Sequence, residues 1–270
     1  LLVANPKPFV FHVQLNRPNK LNAINRAMWI GLKQCFEDLS TNPECRAIVL
    51  SGEGRLFTAG IDLNDMLKLG QELSEISDVA RKGAVMDKLI KLYQDSISSL
   101  EVCPKPVIAA VHSACVGAGV DLTSTADIRY CTEDAWFQVK EVEIGMAADV
   151  GTLQRLPKII GNQSLVRDLC FTARKFSGPQ AKEYGFVSEV FKDKEEMLSK
   201  AIELAEMIAA NSPVAVQATK KSIVYSLDHT NQEGLDHIRE MNKLLLQSED
   251  FLEATASQLT KSGPPVFAKL

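Results

Sequence analysis

The amino-acid sequence predicts an α/β protein with a helical C-terminal region. Strand-like and helix-like segments alternate from residue 9 to about residue 190, and this alternation is typical of an α/β core. From about Lys194 onward the segments are all helix-like. A chain of 270 residues is also long enough to bury a sizeable core. We therefore expect an α/β core over residues 1–193 and a helical region over residues 194–270.

The first elements follow from short apolar patterns that end in turn residues. Residues 9–15 (FVFHVQL) alternate between apolar and polar, which predicts a first strand. Apolar residues at three- and four-residue steps predict a helix over residues 24–40, and RAIVL at 46–50 predicts a second strand. Residues 74–100 have the pattern of a long helix, with a predicted break near Gly83.

The second part of the chain opens with a buried strand after two prolines. The apolar run VIAAV at 107–111 predicts that strand, and a helix is expected to begin near Ala118. The sequence further predicts strands at 128–131, 136–139 and 186–190, and helices at 165–171, 194–210, 213–227, 232–246 and 249–260. Pro213 suits the first turn of its helix.

The composition argues against several functional classes. Apolar residues make up 46% of the chain and charged residues 24%, as in typical soluble domains. The formal net charge of −4 argues against general nucleic-acid binding, although a local basic patch could hold a phosphorylated ligand. No apolar run has the length of a membrane span. The six cysteines are scattered, which argues against a disulfide framework or a zinc site.

Two clusters of small residues are candidates for binding a carbonyl oxygen. Ala59-Gly60-Ile61 and Gly117-Ala118-Gly119 each precede helix-like sequence, so each can present free backbone amides at a helix start. If the two turns meet, one amide from each forms a two-donor site for an oxyanion. The alternative is that each turn serves only the path of the chain. A dinucleotide-binding function is disfavoured because residues 116–120 lack the third glycine of GxGxxG.

Three carboxyl groups lie near the second turn in sequence. Asp121 follows the turn, Glu141 comes next, and Asp149 lies in the nearly uncharged segment GMAADVGTL. An acid among apolar neighbours is paired, hydrogen-bonded or protonated. Carboxyl groups in unlike environments beside amide donors are suited to moving protons next to a carbonyl. Asp62 and Asp65 are expected to cap a helix instead.

Several segments resemble the crotonase (enoyl-CoA hydratase/isomerase) superfamily. They are RPNKLNAIN, FTAGIDL, PKPVIAAVHSACVGAGVDL, ADIRY and VGTLQRLPKIIG, and the resemblance runs from about residue 9 to residue 225. It implies a core of repeated β-β-α units, a C-terminal helical region for packing in trimers or hexamers, and an acyl-CoA thioester substrate. It also implies an oxyanion hole from the amides of Ile61 and Ala118, with substrate-binding residues Ala59, Gly60, Ile61, Asp62, Leu63 and Ala118.

The carboxyl groups depart from the hydratase pattern of this family. Hydratases use two glutamates, whereas this chain matches the second with Glu141 and has Asp121 in place of the first. Asp149 lies where hydratases are glycine-rich. The resemblance therefore implies isomerisation of a 3,5-dienoyl-CoA to a 2,4-dienoyl-CoA in fatty acid β-oxidation. Glu141 would remove a proton at C2, Asp149 would deliver one at C6, and Asp121 would orient or tune Glu141, without a metal or redox cofactor.

Two other functions stay open at this stage. The first is an enoyl-CoA hydratase or a Δ3-Δ2-enoyl-CoA isomerase, and the second is a non-catalytic member that binds RNA or protein. The residues Ala268-Lys269-Leu270 are similar to the Ser-Lys-Leu address of the peroxisomal import receptor. We accordingly expect peroxisomal localisation, with the mitochondrion as a second location.

Overall fold

Nine strands form two sheets in the structure, a computed structural model that describes residues 1–270. The strands are β1 (Leu2–Lys7), β2 (Val10–Leu15), β3 (Ala47–Gly52), β4 (Val107–Val111), β5 (Ala114–Val116), β6 (Ile128–Thr132), β7 (Trp136–Gln138), β8 (Phe176–Ser177) and β9 (Glu189–Phe191). The main sheet has the order β1-β2-β3-β4-β6-β9, and the small sheet has the order β5-β7-β8. All neighbours in the main sheet are parallel except β1 and β2.

Eleven α-helices surround and extend these sheets. They are α1 (Arg26–Thr41), α2 (Leu63–Ser74), α3 (Val79–Val102), α4 (Ala118–Ser124), α5 (Thr152–Ile160), α6 (Gln163–Thr172), α7 (Gly178–Glu183), α8 (Lys194–Ala209), α9 (Pro213–Ser226), α10 (Asn231–Leu245) and α11 (Glu249–Thr260). Two 3-10 helices cover Pro18–Lys20 and Glu141–Ile144. None of the helices combines the length and hydrophobicity that crossing a lipid bilayer requires.

Strand β4 lies inside the main sheet, and its side chains contribute to two cores. Its residues are fully buried, and alternate side chains point to opposite faces of the sheet. Val107, Ala109 and Val111 belong to the large core that includes residues of α1 and α3. Ile108 and Ala110 belong to a smaller core, in which α8 contributes Met197, Ala201, Ala205 and Ala209. The small alanine side chains, spaced one helical turn apart, let α8 lie close to the sheet.

The predicted α/β class and the helical C-terminal part are confirmed. Strand β4 has the predicted bounds, and the last four helices begin and end within one residue of their predicted positions. Asp127, which directly precedes β6, has a structural role, because it accepts a hydrogen bond from the Val107 amide (2.7 Å) and forms an ion pair with Lys220 (2.7 Å).

Some elements differ from the prediction. The helix predicted over residues 74–100 begins later, at Val79, and has no break near Gly83, because Asp78 begins α3 by accepting a hydrogen bond from the Arg81 amide. Gly83 lies within α3, where a Cβ atom would meet no atom within 4 Å. The predicted strand at 186–190 is shorter and later, at Glu189–Phe191, since Phe186 is buried in the core as part of a loop.

Five elements were not predicted, and two of them are the short β8 and α7. All six residues of β1 are exposed, so the strand has no apolar face to produce an alternating pattern. Helix α5 contains Pro157, which normally argues against a helix interior. Strand β5 has only three residues.

Candidate active site

The two small-residue turns meet beside the start of α4. The Thr58 amide donates to the Ala114 carbonyl (3.1 Å), and the Val116 amide donates to the Thr58 carbonyl (3.2 Å). Gly60 has a φ of +90°, and a Cβ atom there would lie 2.7 Å from the Val116 carbonyl oxygen and 3.8 Å from the Ala118 nitrogen. Glycine is therefore required at position 60 for both its backbone conformation and its close contact with the second turn.

The backbone bonds around the first turn leave one amide free. The Ile24 amide donates to the Gly60 carbonyl (2.7 Å), and the Asp62 amide donates to the Ile24 carbonyl (3.0 Å). Ile61 lies between these two bonds, and its own amide makes none. Ala118 is the first residue of α4, where amides have no acceptor within the helix. Each turn thus contributes one unpaired donor.

Both turns and all three carboxyl groups line one cavity of about 320 Å³, which we call the main cavity. Every predicted site residue is in its lining: Ala59, Gly60, Ile61, Asp62, Leu63, Ala118, Asp121, Glu141 and Asp149. Their chemical roles stay predictions.

Asp121 lies on α4 and is completely buried. Its Oδ1 atom accepts a hydrogen bond of 2.6 Å from the Thr152 amide, and its Oδ2 atom has no partner. Burial raises the pKa of Asp121 to about 6; hydrogen bonding by Thr152 opposes this increase, and the charge of Asp149 adds to it. Asp121 therefore joins α4 to the first residue of α5, three positions after Asp149.

Glu141 begins the 3-10 helix Glu141–Ile144 and points toward the second turn. A Cβ atom at Gly117 would lie 3.2 Å from Glu141 Oε1, and Glu141 Oε2 is buried without a partner. Burial raises the pKa of Glu141 to about 7, and the negative charge of Asp121 adds to the increase. The neighbouring Glu143 is exposed and pairs with Gln138 and Lys140, so only Glu141 of the two lies in the cavity.

Asp149 is half-buried between the 3-10 helix and α5. Burial raises the pKa of its carboxyl group. Its backbone carbonyl accepts a hydrogen bond of 2.8 Å from the side chain of Gln94 on α3. The loop that carries Asp149 is thus held by Gln94 on one side and, through Thr152, by Asp121 on the other.

Asp62 and Asp65 have structural contacts, and so do the nearby residues His112 and Cys115. Asp62 caps α2 through the Asn64 amide (3.1 Å) and pairs with Arg17 (3.0 Å), and Asp65 accepts from the Arg26 amide (2.7 Å). His112 donates to the Gly54 carbonyl (2.9 Å) outside the cavity lining. Cys115 is fully buried in the large core, and burial raises the pKa of its thiol.

An aromatic pair that no sequence pattern predicted lies in the same cavity. The rings of Trp29 and Tyr93 are stacked with their centroids 4.6 Å apart, and both residues line the cavity. Trp29 lies on α1 and Tyr93 on α3. No local pattern brings these positions together, because they lie on different helices far apart in the chain.

Comparison with known proteins identifies the family. The family described as Enoyl-CoA hydratase/isomerase matches residues 7–267, and the chain belongs to this family. It is 51% identical to the mitochondrial Delta(3,5)-Delta(2,4)-dienoyl-CoA isomerase of Mus musculus, over 96% of this chain and 79% of that protein. It is 42% identical to the peroxisomal Delta(3,5)-Delta(2,4)-dienoyl-CoA isomerase of Arabidopsis thaliana, over 98% of this chain and 95% of that protein.

A solved structure supports the same fold. The crystal structure of an enoyl-CoA hydratase from Bacillus anthracis superposes with a TM-score of 0.88 at 26% sequence identity, covering 99% of this chain and 98% of that chain. The family resemblance noted in the sequence segments is therefore confirmed by both comparisons.

Proposed function

We propose that this protein is an isomerase that converts a 3,5-dienoyl-CoA to a 2,4-dienoyl-CoA in fatty acid β-oxidation. The observation that carries the proposal is the presence of two separate carboxyl groups, Glu141 and Asp149, in one cavity with two unpaired amides. Relatives at 51% and 42% identity bear the name of this activity.

The first chemical requirement is stabilisation of an enolate. Removal of a proton from C2 of a thioester places negative charge on the thioester oxygen, so donors fixed before the reaction lower the barrier. We assign this role to the amides of Ile61 and Ala118, since one such donor typically contributes ~3 kcal/mol. The residues 59–63 and Ala118 would then hold the thioester.

The second requirement is a proton transfer between distant carbons. Glu141 takes the C2 proton, the electron pair of the broken C–H bond enters the conjugated system, and the double bonds move from positions 3 and 5 to positions 2 and 4. A C–H bond forms at C6 with the proton of Asp149. Because C2 and C6 are four bonds apart, one short and fixed carboxyl group cannot serve both. No electrons are gained or lost overall, so the proposed reaction needs no redox cofactor. Because backbone amides and carboxyl groups carry each of its steps, we propose that it uses no metal either.

The acidities of the carboxyl groups bear on this division of roles. A general base is most effective with a pKa near the working pH, and the pKa of Glu141 is about 7. Asp149 must start protonated, and burial already raises its pKa. Burial raises the pKa of Glu141 as well, so the two roles require a further difference in acidity between the two groups. We propose that the apolar acyl chain covers Asp149 and raises its pKa further by removing water.

Asp121 acts on Glu141 through its charge in this proposal. Its hydrogen bond goes to Thr152, so of the two expected effects, orienting or tuning Glu141, we propose the electrostatic one. A negative Asp121 makes Glu141 a stronger base.

We further propose a homotrimer or homohexamer that packs through the C-terminal region, residues 194–270. Exposed apolar side chains on α10 and α11 support this, among them Leu235, Leu244, Leu252 and Leu259. For localisation we propose the peroxisome, through recognition of Ala268-Lys269-Leu270 by the import receptor, and the mitochondrion. The relatives from Arabidopsis thaliana and Mus musculus are named as peroxisomal and mitochondrial respectively.

The decisive experiment follows absorbance after mixing the protein with 3,5-octadienoyl-CoA. A diene conjugated with the thioester absorbs at longer wavelength than the starting isomer, so a new band reports the product. We expect the band with the wild type and with the control Glu143→Gln, and its loss in Glu141→Gln and in Asp149→Asn with CoA binding intact. Hydration of crotonyl-CoA without growth of the diene band would identify an atypical hydratase instead.

A further inference from the structure

A second cavity of about 690 Å³ lies on the other side of Asp149. It lies between α3, α5 and α9, and its lining includes the polar side chains Gln94, Ser98, Glu101, Ser124, Gln154 and Arg155. Asp149 and Val150 are the only residues that line both this second cavity and the main cavity. Glu141 lines the main cavity but not the second cavity. The two carboxyl groups therefore differ in their access to a polar compartment.

The proposed reaction leaves both carboxyl groups in the wrong protonation state. After each turnover Glu141 carries the proton from C2, and Asp149 has lost its proton to C6. Before the next turnover Glu141 must release a proton and Asp149 must gain one. A direct return across the main cavity needs a chain of water between them, but the product occupies that space and much of its lining is apolar.

We propose that Asp149 regains its proton from solvent water through the second cavity. The inference rests on the proposed function, because only a two-carboxyl isomerisation leaves Asp149 ionised. A water molecule in the second cavity protonates Asp149 and is reprotonated by bulk water. Glu141 gives its proton to water in the main cavity when the product leaves, so the cycle consumes no protons. Asp149 and Val150 then form the partition between the substrate and a solvent-filled compartment.

The side chains of the second cavity suit this role. A cavity of this size has room for several water molecules, and its polar groups can hold them. Serine hydroxyl groups and glutamine amides both donate and accept hydrogen bonds. Arg155 is fixed by Glu101 (2.7 Å) and by Ser98 (3.0 Å), and Lys158 pairs with Asp228. Since both cations of the lining, Arg155 and Lys158, have a partner of opposite sign, no unpaired cation in the lining repels an incoming proton.

An isotope experiment on the wild type tests the source of the C6 proton. The protein converts 3,5-octadienoyl-CoA carrying two deuterium atoms at C2, in ordinary water, over many turnovers. We expect one deuterium to remain at C2 of the product and only hydrogen to be added at C6. Deuterium that accumulates at C6 after the first turnover would show direct return from Glu141 and overturn the proposal.

A cavity-filling variant tests the route. Ser98→Leu places an apolar side chain in the second cavity, and Ser99→Leu on the same helix is the control, because Ser99 lines neither cavity. We expect Ser98→Leu to form the first product at the wild-type rate, as a burst of one per active site, and then to turn over about tenfold more slowly. A steady-state rate equal to that of Ser99→Leu, without a burst, contradicts the route.

A second pair of variants covers the case in which Ser98→Leu does not fold. Gln154 is exposed on α5 and lines the second cavity, while the adjacent Leu153 is exposed and lines neither. Gln154→Trp is expected to give the same burst and slow phase, and Leu153→Trp the wild-type time course. The absence of a burst in Gln154→Trp would again contradict the route. If the wild type forms no diene product even in the first turnover, the proposed function itself fails.

Discussion

The hydrogen bond from the Thr152 amide to Asp121 (2.6 Å) ties the loop of Asp149 to α4. Asp121 thus has two separable properties, a charge close to Glu141 and an acceptor atom for the backbone of α5. Two substitutions can separate these properties, since one removes the charge alone and the other removes both.

Asp121→Asn keeps the acceptor and removes the charge. The asparagine carbonyl can still accept from Thr152, but the pKa of Glu141 falls because the neighbouring negative charge is lost. Glu141 must be ionised to act as the base, so kcat/KM should rise with pH through about 7 in the wild type and at lower pH in the variant. A pH profile of kcat/KM measures this shift. An unchanged acid limb would mean that Asp121 does not act on Glu141 by charge.

Asp121→Ala removes the acceptor as well. The buried Thr152 amide then lacks a partner, which typically costs about 1–3 kcal/mol of unfolding free energy. Asp149 also loses the anchor three residues away, so activity should fall below that of Asp121→Asn. Urea unfolding combined with kcat for the two variants separates the effects. Equal activity in both variants would contradict a positioning role for the bond.

The raised pKa of Glu141 predicts a pH-dependent stability. A carboxyl group whose pKa rises from 4.5 to about 7 on folding binds its proton more tightly in the folded state. Its favourable contribution to the free energy of unfolding is therefore complete below the pKa of the unfolded state, 4.5, and is lost as the pH rises through about 7. The difference is on the order of 3 kcal/mol for this group. In Glu141→Gln, the free energy of unfolding measured with urea should therefore change less between pH 5 and pH 8 than in the wild type, by an amount on the order of 3 kcal/mol.

Gly60→Ala should separate the two turns. The new methyl group would lie 2.7 Å from the Val116 carbonyl oxygen at a φ of +90°, so the backbone must move and the Ile61 amide with it. Loss of one oxyanion donor typically lowers kcat by about 100- to 1000-fold. Gly70→Ala on α2 is the matched control, since a Cβ atom there meets no atom within 4 Å. Steady-state kinetics of both variants measure this loss of kcat. Full activity of Gly60→Ala would exclude the proposed oxyanion hole.

Tyr93→Ala should extend the acyl-binding space. Tyr93 stacks on Trp29 in the main cavity, and removal of its ring opens room for a longer chain. We expect the ratio of kcat/KM for a twelve-carbon over an eight-carbon dienoyl-CoA to increase by about tenfold. The control Tyr130→Ala removes a ring that lies outside the main cavity. An unchanged ratio would show that the aromatic pair does not limit chain length.

The elements whose bounds were predicted correctly are those with a clear sequence pattern of their own. Strand β4 is a continuous apolar run after two prolines, and α8 to α11 have clear starts, so their bounds were correct within one residue. The break before α3 depends on the cap formed by Asp78 and not on Gly83, which has open space around it. A glycine in a helix-like pattern permits a break but does not require one.

The contacts that assemble the candidate site connect distant parts of the chain. Gly60 meets Val116, Asp121 binds Thr152 and Trp29 stacks on Tyr93. Each pair is separated by at least about thirty residues, beyond the reach of helix or strand periodicity. The residue types of the carboxyl groups and small turns were visible in the sequence, while their partners depended on the tertiary fold.

The position of the site in the fold also determines which parts of the molecule exchange amide hydrogen most slowly. Strand β4, with hydrogen-bonded neighbours on both sides and no exposed residue, should exchange only by global unfolding. Helices α10 and α11 have one buried residue each, Gly234 and Asp250, so they should open locally in the isolated subunit. Transient opening of the C-terminal end can thus occur while α4 and its carboxyl group keep their places beside the slowest-exchanging strand.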